Sequence, residues 1–181
     1  MKLKRVALPW HLAELVALAG TRRRLYALHD GRPPRYGYGE KDSWGTDVES
    51  AGGECAVAWT YNLFWTPWAR RPSEIVADVG TDVEVRWRSV PGWDMIAHPK
   101  DPDHFRIVVV YGQLPVYELG GWLYGHEAKQ ERYWGDPYKT GRPAFWPPLG
   151  ETRSMETFEA RQEQSLPSAA LGMVGTQPPG G

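Results

Sequence analysis

A continuous β-branched run most constrains the fold of this chain: residues 107–110 read Ile-Val-Val-Val. Because successive side chains on a strand point to opposite faces, a run without polar alternation predicts a central strand that is covered on both sides. Residues 83–88 show the opposite pattern, since Val and Trp alternate with Glu and Arg, and predict a strand with one apolar and one charged face. We therefore expect an α/β (α+β) fold with a mixed, mostly antiparallel central sheet and flanking helices.

The first third of the chain predicts two helices. Pro9 can occupy the first turn of a short helix, and Gly20 offers a C-terminal stop. Residues 21–53 mix Arg, Gly, Pro and Asp without periodicity, so we expect a long irregular connection there. A second helix is predicted from Glu54 to about residue 65, with Pro67 closing it.

The remaining segments predict strands, turns and a tail. Residues 93–98 and 105–111 are expected to form a hairpin around a Pro- and Asp-rich turn. Residues 116–124 predict another strand, in which two consecutive glycines indicate a bulge. A modest helix is expected over residues 151–164. We expect one domain over residues 1–165, followed by a mobile Pro/Gly-rich tail over residues 166–181.

The overall charge indicates no strongly basic nucleic-acid scaffold. The formal net charge is −1, so a basic surface would have to be local, as at the three arginines of residues 22–24. The single cysteine, Cys55, lies among apolar neighbours and predicts a buried, inert thiol. No apolar run reaches membrane-spanning length and no signal-peptide pattern opens the chain, so we expect a cytoplasmic protein that does not enter a membrane.

Four charged residues are predicted to converge. Glu54 lies on the apolar stripe of its helix, where an isolated carboxylate would cost several kcal/mol in desolvation unless it met a partner. Gly80 permits a tight turn that would fold Asp78 back beside the next strand. On that strand Glu84 and Arg86 share a face, because they are two residues apart.

Convergent carboxylates repel one another, and a divalent cation relieves that repulsion. Mg²⁺ binds one or two carboxylates, keeps several waters and bridges to phosphate oxygens, which favours hydrolysis of a nucleic-acid backbone. Each acid taken alone is more typical of a solvated face or a structural salt bridge than of a metal site. Asp82 is a rival to Asp78, since it shares the face of Glu84; we prefer Asp78 because of the Gly80 turn.

The order of these residues resembles a known superfamily. A helix Glu, then an Asp, then Glu-x-Lys on a strand is the signature of the restriction-endonuclease-like PD-(D/E)XK nucleases, and this chain reads Glu54, Asp78 and Glu84-Val85-Arg86. The Asp-Val-Gly at 78–80, the Pro-x-Asp at 99–101, Gly-Trp at 121–122 and Glu-Ala at 127–128 also look like small uncharacterised bacteriophage proteins. The resemblance spans roughly residues 8–148.

The resemblance implies a role for each residue. Asp78 and Glu84 would ligate Mg²⁺ or Mn²⁺, and Glu54 would ligate it or orient a water. Arg86 would stand where the superfamily has lysine. This chain departs from the pattern there, since a buried lysine can lose its proton whereas arginine stays charged and offers only fixed positive charge and hydrogen bonds.

Three functions follow as hypotheses. The leading one is a Mg²⁺-dependent DNA endonuclease or related phosphodiesterase of phage origin, working in the host cytoplasm, with a homodimer possible. The second is a catalytically inactive nuclease-like module that binds nucleic acid or a host or phage protein, and the third is a small phage assembly protein. The ten tryptophans are able to stack on unpaired bases, although we expect most of them to fill the core or to lie under the aromatic C-terminal segment.

Overall fold

A four-stranded sheet forms the centre of the molecule. The computed structural model describes residues 3–32, 40–68, 76–137, 139 and 141–159. The sheet has the order β1-β4-β3-β2 and is built from β1 (Lys4–Ala7), β2 (Val83–Arg88), β3 (Arg106–Gln113) and β4 (Val116–Tyr124). β4 is antiparallel to β1 and β3, while β2 is parallel to β3. The expected mixed, mostly antiparallel sheet with flanking helices is confirmed.

Strand β3 is covered on both faces, as its β-branched run predicts. Val108 and Val110 pack into the core shared with α1 (Trp10–His29) and α2 (Glu40–Tyr61). Ile107 and Val109 pack into a second core on the opposite face. Residues 107–110 are all fully buried, so the two layers meet along this strand.

The second core is covered by short segments instead of long helices. They include α3 (Gly125–Ala128) and a small antiparallel sheet of β5 (Trp134–Gly135) and β6 (Ala144–Phe145). Ala97 bridges to Phe145, so the predicted hairpin of residues 93–98 with 105–111 is wrong. The segment that contains Ala97 closes this face with the later chain.

Helix α1 continues through the position where we predicted its end. It runs to His29, and Gly20 lies inside it. A Cβ atom at Gly20 would stand 2.4 Å from the Cα atom of Val48 on α2. The glycine is therefore a point of close helix contact and not a C-terminal stop.

Helix α2 also begins earlier than predicted. It starts at Glu40, so Gly52 and Gly53 lie within it and do not open it. A Cβ atom at Gly52 would overlap the hydroxyl group of Tyr117, which explains a glycine at this point in a helix. The expected irregular connection over residues 21–53 is thus wrong for the described residues; residues 33–39 lie outside them.

The C-terminal predictions have mixed outcomes. A register shift between Val109 and Val110 confirms the bulge opposite them in β4. The modest helix is wrong for residues 151–159, which carry only short 3₁₀ turns, although Met155 and Phe158 are buried. Residues 160–181, and with them the expected tail, lie outside the described part.

Within the described ranges, no helix combines the length and the apolar character that crossing a membrane requires.

The contact between α1 and α2 predicts opposite effects for two glycine substitutions. Gly20→Ala should lower the free energy of unfolding by about 1 to 3 kcal/mol, because the helix backbones must move apart. Gly45→Ala is the matched control, since Gly45 lies in α2 with nothing within 4 Å of an added Cβ atom. It should stabilise the protein by about 0.5 to 1 kcal/mol, because alanine is the better helix former. Urea denaturation measures both; equal effects would contradict the close-contact explanation.

Candidate active site at the outer side of strand β2

A tight turn brings Asp78 beside β2. Gly80 has a φ of 56°, a left-handed conformation that glycine adopts without strain. The backbone N–H groups of Val79 and Val83 donate to each other's carbonyl oxygens at 3.0 and 3.2 Å. Asp78 then accepts a hydrogen bond from the N–H of Val85, with Oδ2 at 2.8 Å. The predicted turn therefore sets the Asp78 carboxylate at the outer side of β2.

Glu84 and Arg86 form an ion pair on one face of β2. Val83 and Val85 belong to the core under the helices, so Glu84 and Arg86 point to the other face. Arg86 donates from Nη1 to Oε1 of Glu84 at 2.5 Å and from Nη2 to Oδ2 of Asp101 at 2.7 Å. Burial lowers the pKa of Arg86, but Glu84 and Asp101 outweigh it and raise the pKa overall. Arg86 is a permanent cation here.

One nitrogen of Arg86 is left unsatisfied. Its Nε is buried and has no hydrogen-bond partner among the described residues. Buried donors are nearly always paired, because an unsatisfied one costs about 1 to 3 kcal/mol. A buried water at this position would satisfy it.

Asp101 also belongs to the candidate site, although we did not predict it as a functional residue from the sequence. Its Oδ2 also accepts from the backbone N–H of His98 at 2.8 Å, and its carbonyl oxygen accepts from Nζ of Lys129 at 2.6 Å. Arg86 and Lys129 thus bind the side chain and the backbone of the same residue. The signal in the sequence was its place in the Pro-x-Asp of residues 99–101.

Glu54 has the partners that its apolar surroundings demand. The residue is only 6% exposed. Arg23 donates two hydrogen bonds to it, Nη1 to Oε1 at 2.7 Å and Nη2 to Oε2 at 2.6 Å, and Nε1 of Trp65 donates to Oε2 at 2.9 Å. Burial disfavours the charged guanidinium, but the Glu54 carboxylate more than compensates and raises the pKa of Arg23. Sequence reasoning predicted a partner for Glu54 without identifying either residue.

The negative charges of Glu54 and Glu84 act on the Asp78 carboxylate. Burial raises the pKa of Asp78 well above its usual range, and the negative charges of Glu54 and Glu84 add to that rise. Arg86 and the Val85 N–H group oppose it. Glu54 approaches from the helix side of the sheet, and Glu84 lies on the other face. The charges of Glu54, Glu84 and Arg86 therefore all act on Asp78.

Carboxylates outnumber guanidinium groups in this environment. Four carboxylates, those of Glu54, Asp78, Glu84 and Asp101, face two guanidinium groups, those of Arg23 and Arg86. Among the described residues no group of three His, Cys, Asp or Glu side chains is arranged around a single point. Mg²⁺ needs only one or two carboxylates and completes its shell with water. Asp78 and Glu84 supply carboxylates, the donor type that Mg²⁺ binds.

The alternatives weighed from sequence take other roles. Asp82 is buried and accepts from Arg106 at 2.5 and 3.1 Å, so it forms a structural ion pair that joins β2 to β3. The arginines of residues 22–24 lie within α1, where Arg24 is buried and Arg22 is exposed. Cys55 is buried as predicted, and burial raises the pKa of its thiol to about 12, with Glu54 adding to the rise.

The tryptophans are far more exposed than we expected. Six of the ten are exposed, and Trp122 is the one that is fully enclosed in a core. The prediction that most of them are buried is wrong, because the cores of this chain are built mainly from valine and alanine.

The Arg23–Glu54 pair predicts that substitutions of its two residues have non-additive effects on the free energy of unfolding. Arg23→Met leaves a buried carboxylate without its counter-charge, and we expect the free energy of unfolding to fall by about 3 kcal/mol. Adding Glu54→Gln should recover part of that loss, since the unpaired charge disappears. Urea denaturation of the single and double variants measures the coupling. Arg22→Met is the control on the exposed face and should change little; additive effects of the Arg23 and Glu54 substitutions would contradict a buried pair.

Because the pKa of Asp78 is raised, we predict that Asp78→Asn increases the stability of the protein in metal-free buffer, by an amount that depends on pH. A carboxyl group whose folded pKa lies above its unfolded pKa stabilises the fold below the unfolded value and loses that contribution as the pH rises through the folded value. The wild type should therefore lose stability relative to the Asn variant with rising pH, and the two should converge at acid pH. Thermal unfolding across pH measures this. A variant that is less stable at every pH would contradict the repulsion, since Asn still accepts from Val85.

Comparison with models of known protein families, with curated proteins and with solved structures finds no match for this chain. The functional argument therefore depends on the residues and geometry of the site itself.

Proposed function

We propose that this protein is a metal-dependent phosphodiester hydrolase, with DNA as the substrate and a restriction-endonuclease-like arrangement of its site. The observation that carries the proposal is the hydrogen bond from the N–H of Val85 to Asp78, which sets the turn Asp beside the strand that carries Glu84 and Arg86. The negative charges of Glu54 and Glu84 also act on Asp78 and raise its pKa. The order of these residues along the chain is the basis of the sequence resemblance to the PD-(D/E)XK nucleases.

Each residue has a distinct part in this proposal. Asp78 and Glu84 would hold Mg²⁺ or Mn²⁺. A bound ion of this kind polarises a phosphodiester and lowers the pKa of an attacking water. Glu54 is held by Arg23 and Trp65, so it contributes negative charge beside Asp78 and helps to retain the ion.

Arg86 supplies fixed positive charge on the same face as Glu84. The Arg86 side chain is 15% exposed, so its charge would attract a phosphate oxygen, and this attraction would strengthen as negative charge develops during hydrolysis. Because arginine stays protonated, Arg86 does not act as a base. The attacking water would therefore lose its proton to solvent or to a carboxylate of the site.

The same geometry supports a second candidate function. Arg86 binds both Glu84 and Asp101, and this pairing neutralises part of the charge that would attract an ion. A nuclease-like module that binds nucleic acid without cutting it is the corresponding alternative.

A cleavage assay tests the leading proposal. We expect nicking or cutting of supercoiled, linear or single-stranded DNA with Mg²⁺ or Mn²⁺, and a loss of at least about a hundredfold in Glu84→Gln, typical of removing an electrostatic contact to the reacting centre. Glu14→Gln, at an exposed position on α1, is the matched control and should keep full activity. No cleavage above that of the Glu84 variant in any condition would reject the proposal.

Calorimetric titration with Mn²⁺ separates the two candidates. The active-site proposal expects specific binding to the wild type that is lost in Asp78→Asn. Retained DNA binding with no specific Mn²⁺ binding would favour the non-catalytic module.

A further inference from the structure

An exposed group of aromatic rings lies beside the candidate site. Phe64 is 67% exposed, Trp68 is 47% exposed and Tyr26 is 44% exposed. Arg22 contacts Trp68 and Tyr26, and Phe64 lies four residues before Trp68; we term these four residues the aromatic surface. Single exposed rings are common, whereas a group of them is typical of a surface that binds a partner.

A guanidinium group joins two of these rings. The Cζ atom of Arg22 lies 4.8 Å from the ring centroid of Trp68 and 5.5 Å from that of Tyr26. Its Nη2 also donates to the hydroxyl group of Tyr26 at 3.2 Å. The positive charge is therefore held against the rings, where it can meet a negatively charged partner.

The aromatic surface is connected to the candidate site through the immediate neighbours of its residues. Arg23 and Trp65, adjacent in sequence to Arg22 and Phe64, are the two residues that bind Glu54. The carbonyl oxygen of Phe64 accepts from the N–H of Gly80 at 2.7 Å, and Gly80 follows Asp78 by two residues. The segment of α1 around Arg23 and the segment around Trp65 thus each bind Glu54 and also carry residues of the aromatic surface.

We propose that the aromatic surface binds a single-stranded segment of nucleic acid, whose unpaired bases stack on Phe64 and Trp68 while a phosphate meets Arg22. Paired bases hide their faces within a duplex, whereas unpaired bases stack on aromatic side chains with little sequence preference. The alternation of aromatic rings with a cation matches the alternation of bases with phosphates. This inference rests on the proposed function, because it names the substrate class of the same site.

Binding measurements without divalent cations test the aromatic surface separately from cleavage. The probes are fluorescein-labelled oligothymidylate and a duplex of the same length, followed by fluorescence anisotropy in EDTA. We expect tighter binding of the single strand, and affinity about tenfold weaker in Phe64→Ala and in Trp68→Ala. Trp68→Phe should restore most of the affinity, because phenylalanine still offers a stacking face.

The chain offers matched controls for both residue types. Trp10→Ala removes a tryptophan that lies on α1 and is 72% exposed. Trp10 is about 18 Å from Arg22 along the helix axis, so the affinity of this variant for the single strand should match that of the wild type. Arg22→Ala should reduce the dependence of log affinity on log salt by about 0.7, the value for one phosphate contact on a single strand. Arg5→Ala, at an exposed position on β1, should not.

The outcomes distinguish this inference from the proposed function. Single-strand binding that depends on Phe64 and Trp68 supports the aromatic surface even if no cleavage is found. Equal affinity of wild type and surface variants for the single strand overturns it, and so does a preference for the duplex. Sedimentation that shows self-association lost in Trp68→Ala, without an effect on oligothymidylate binding, also overturns it and assigns the surface to a second copy of the chain.

Discussion

The buried carboxylate of Glu54 is the constraint on which the arrangement of the site depends. It joins α2 to α1 through Arg23 and to the following segment through Trp65. A charge at this depth is tolerated only with good partners, because its lost hydration is expensive. The helix pair therefore has one favoured alignment, and that alignment also brings negative charge close to Asp78. Folding and site electrostatics are determined by the same interaction.

Local patterns predicted the parts of the fold that depend on neighbours in sequence. Alternation over residues 83–88 and the β-branched run at 107–110 predicted β2 and β3, and Gly80 predicted the turn that positions Asp78. The apolar stripe around Glu54 showed that a partner was needed. It did not identify Arg23, which is 31 residues away, because nothing in a local pattern specifies which distant side chain will arrive.

Long-range packing explains the errors. A glycine can end a helix or allow another helix to approach, and Gly20 serves the second purpose only because Val48 lies against it. Gly52 depends in the same way on Tyr117, a residue of the sheet. The exposure of the tryptophans could not be predicted either, since composition gives the number of aromatic residues but not which of them are buried. Asp101 lies in a turn that is held by contacts with the start of β3 and the end of α3, so its position in the site depends on residues distant in sequence.

Strand β2 lies at the end of the order β1-β4-β3-β2 in the described sheet. Outer strands expose backbone hydrogen-bonding groups that can recruit strands from other molecules and so initiate aggregation. Here the Asp78 carboxylate occupies the outward N–H of Val85, and Glu84 and Arg86 place charge along the same strand. These residues thus also oppose intermolecular strand pairing, so a variant that neutralises them should aggregate more readily. The charges that define the candidate site are therefore the same charges that keep this sheet edge from recruiting another strand.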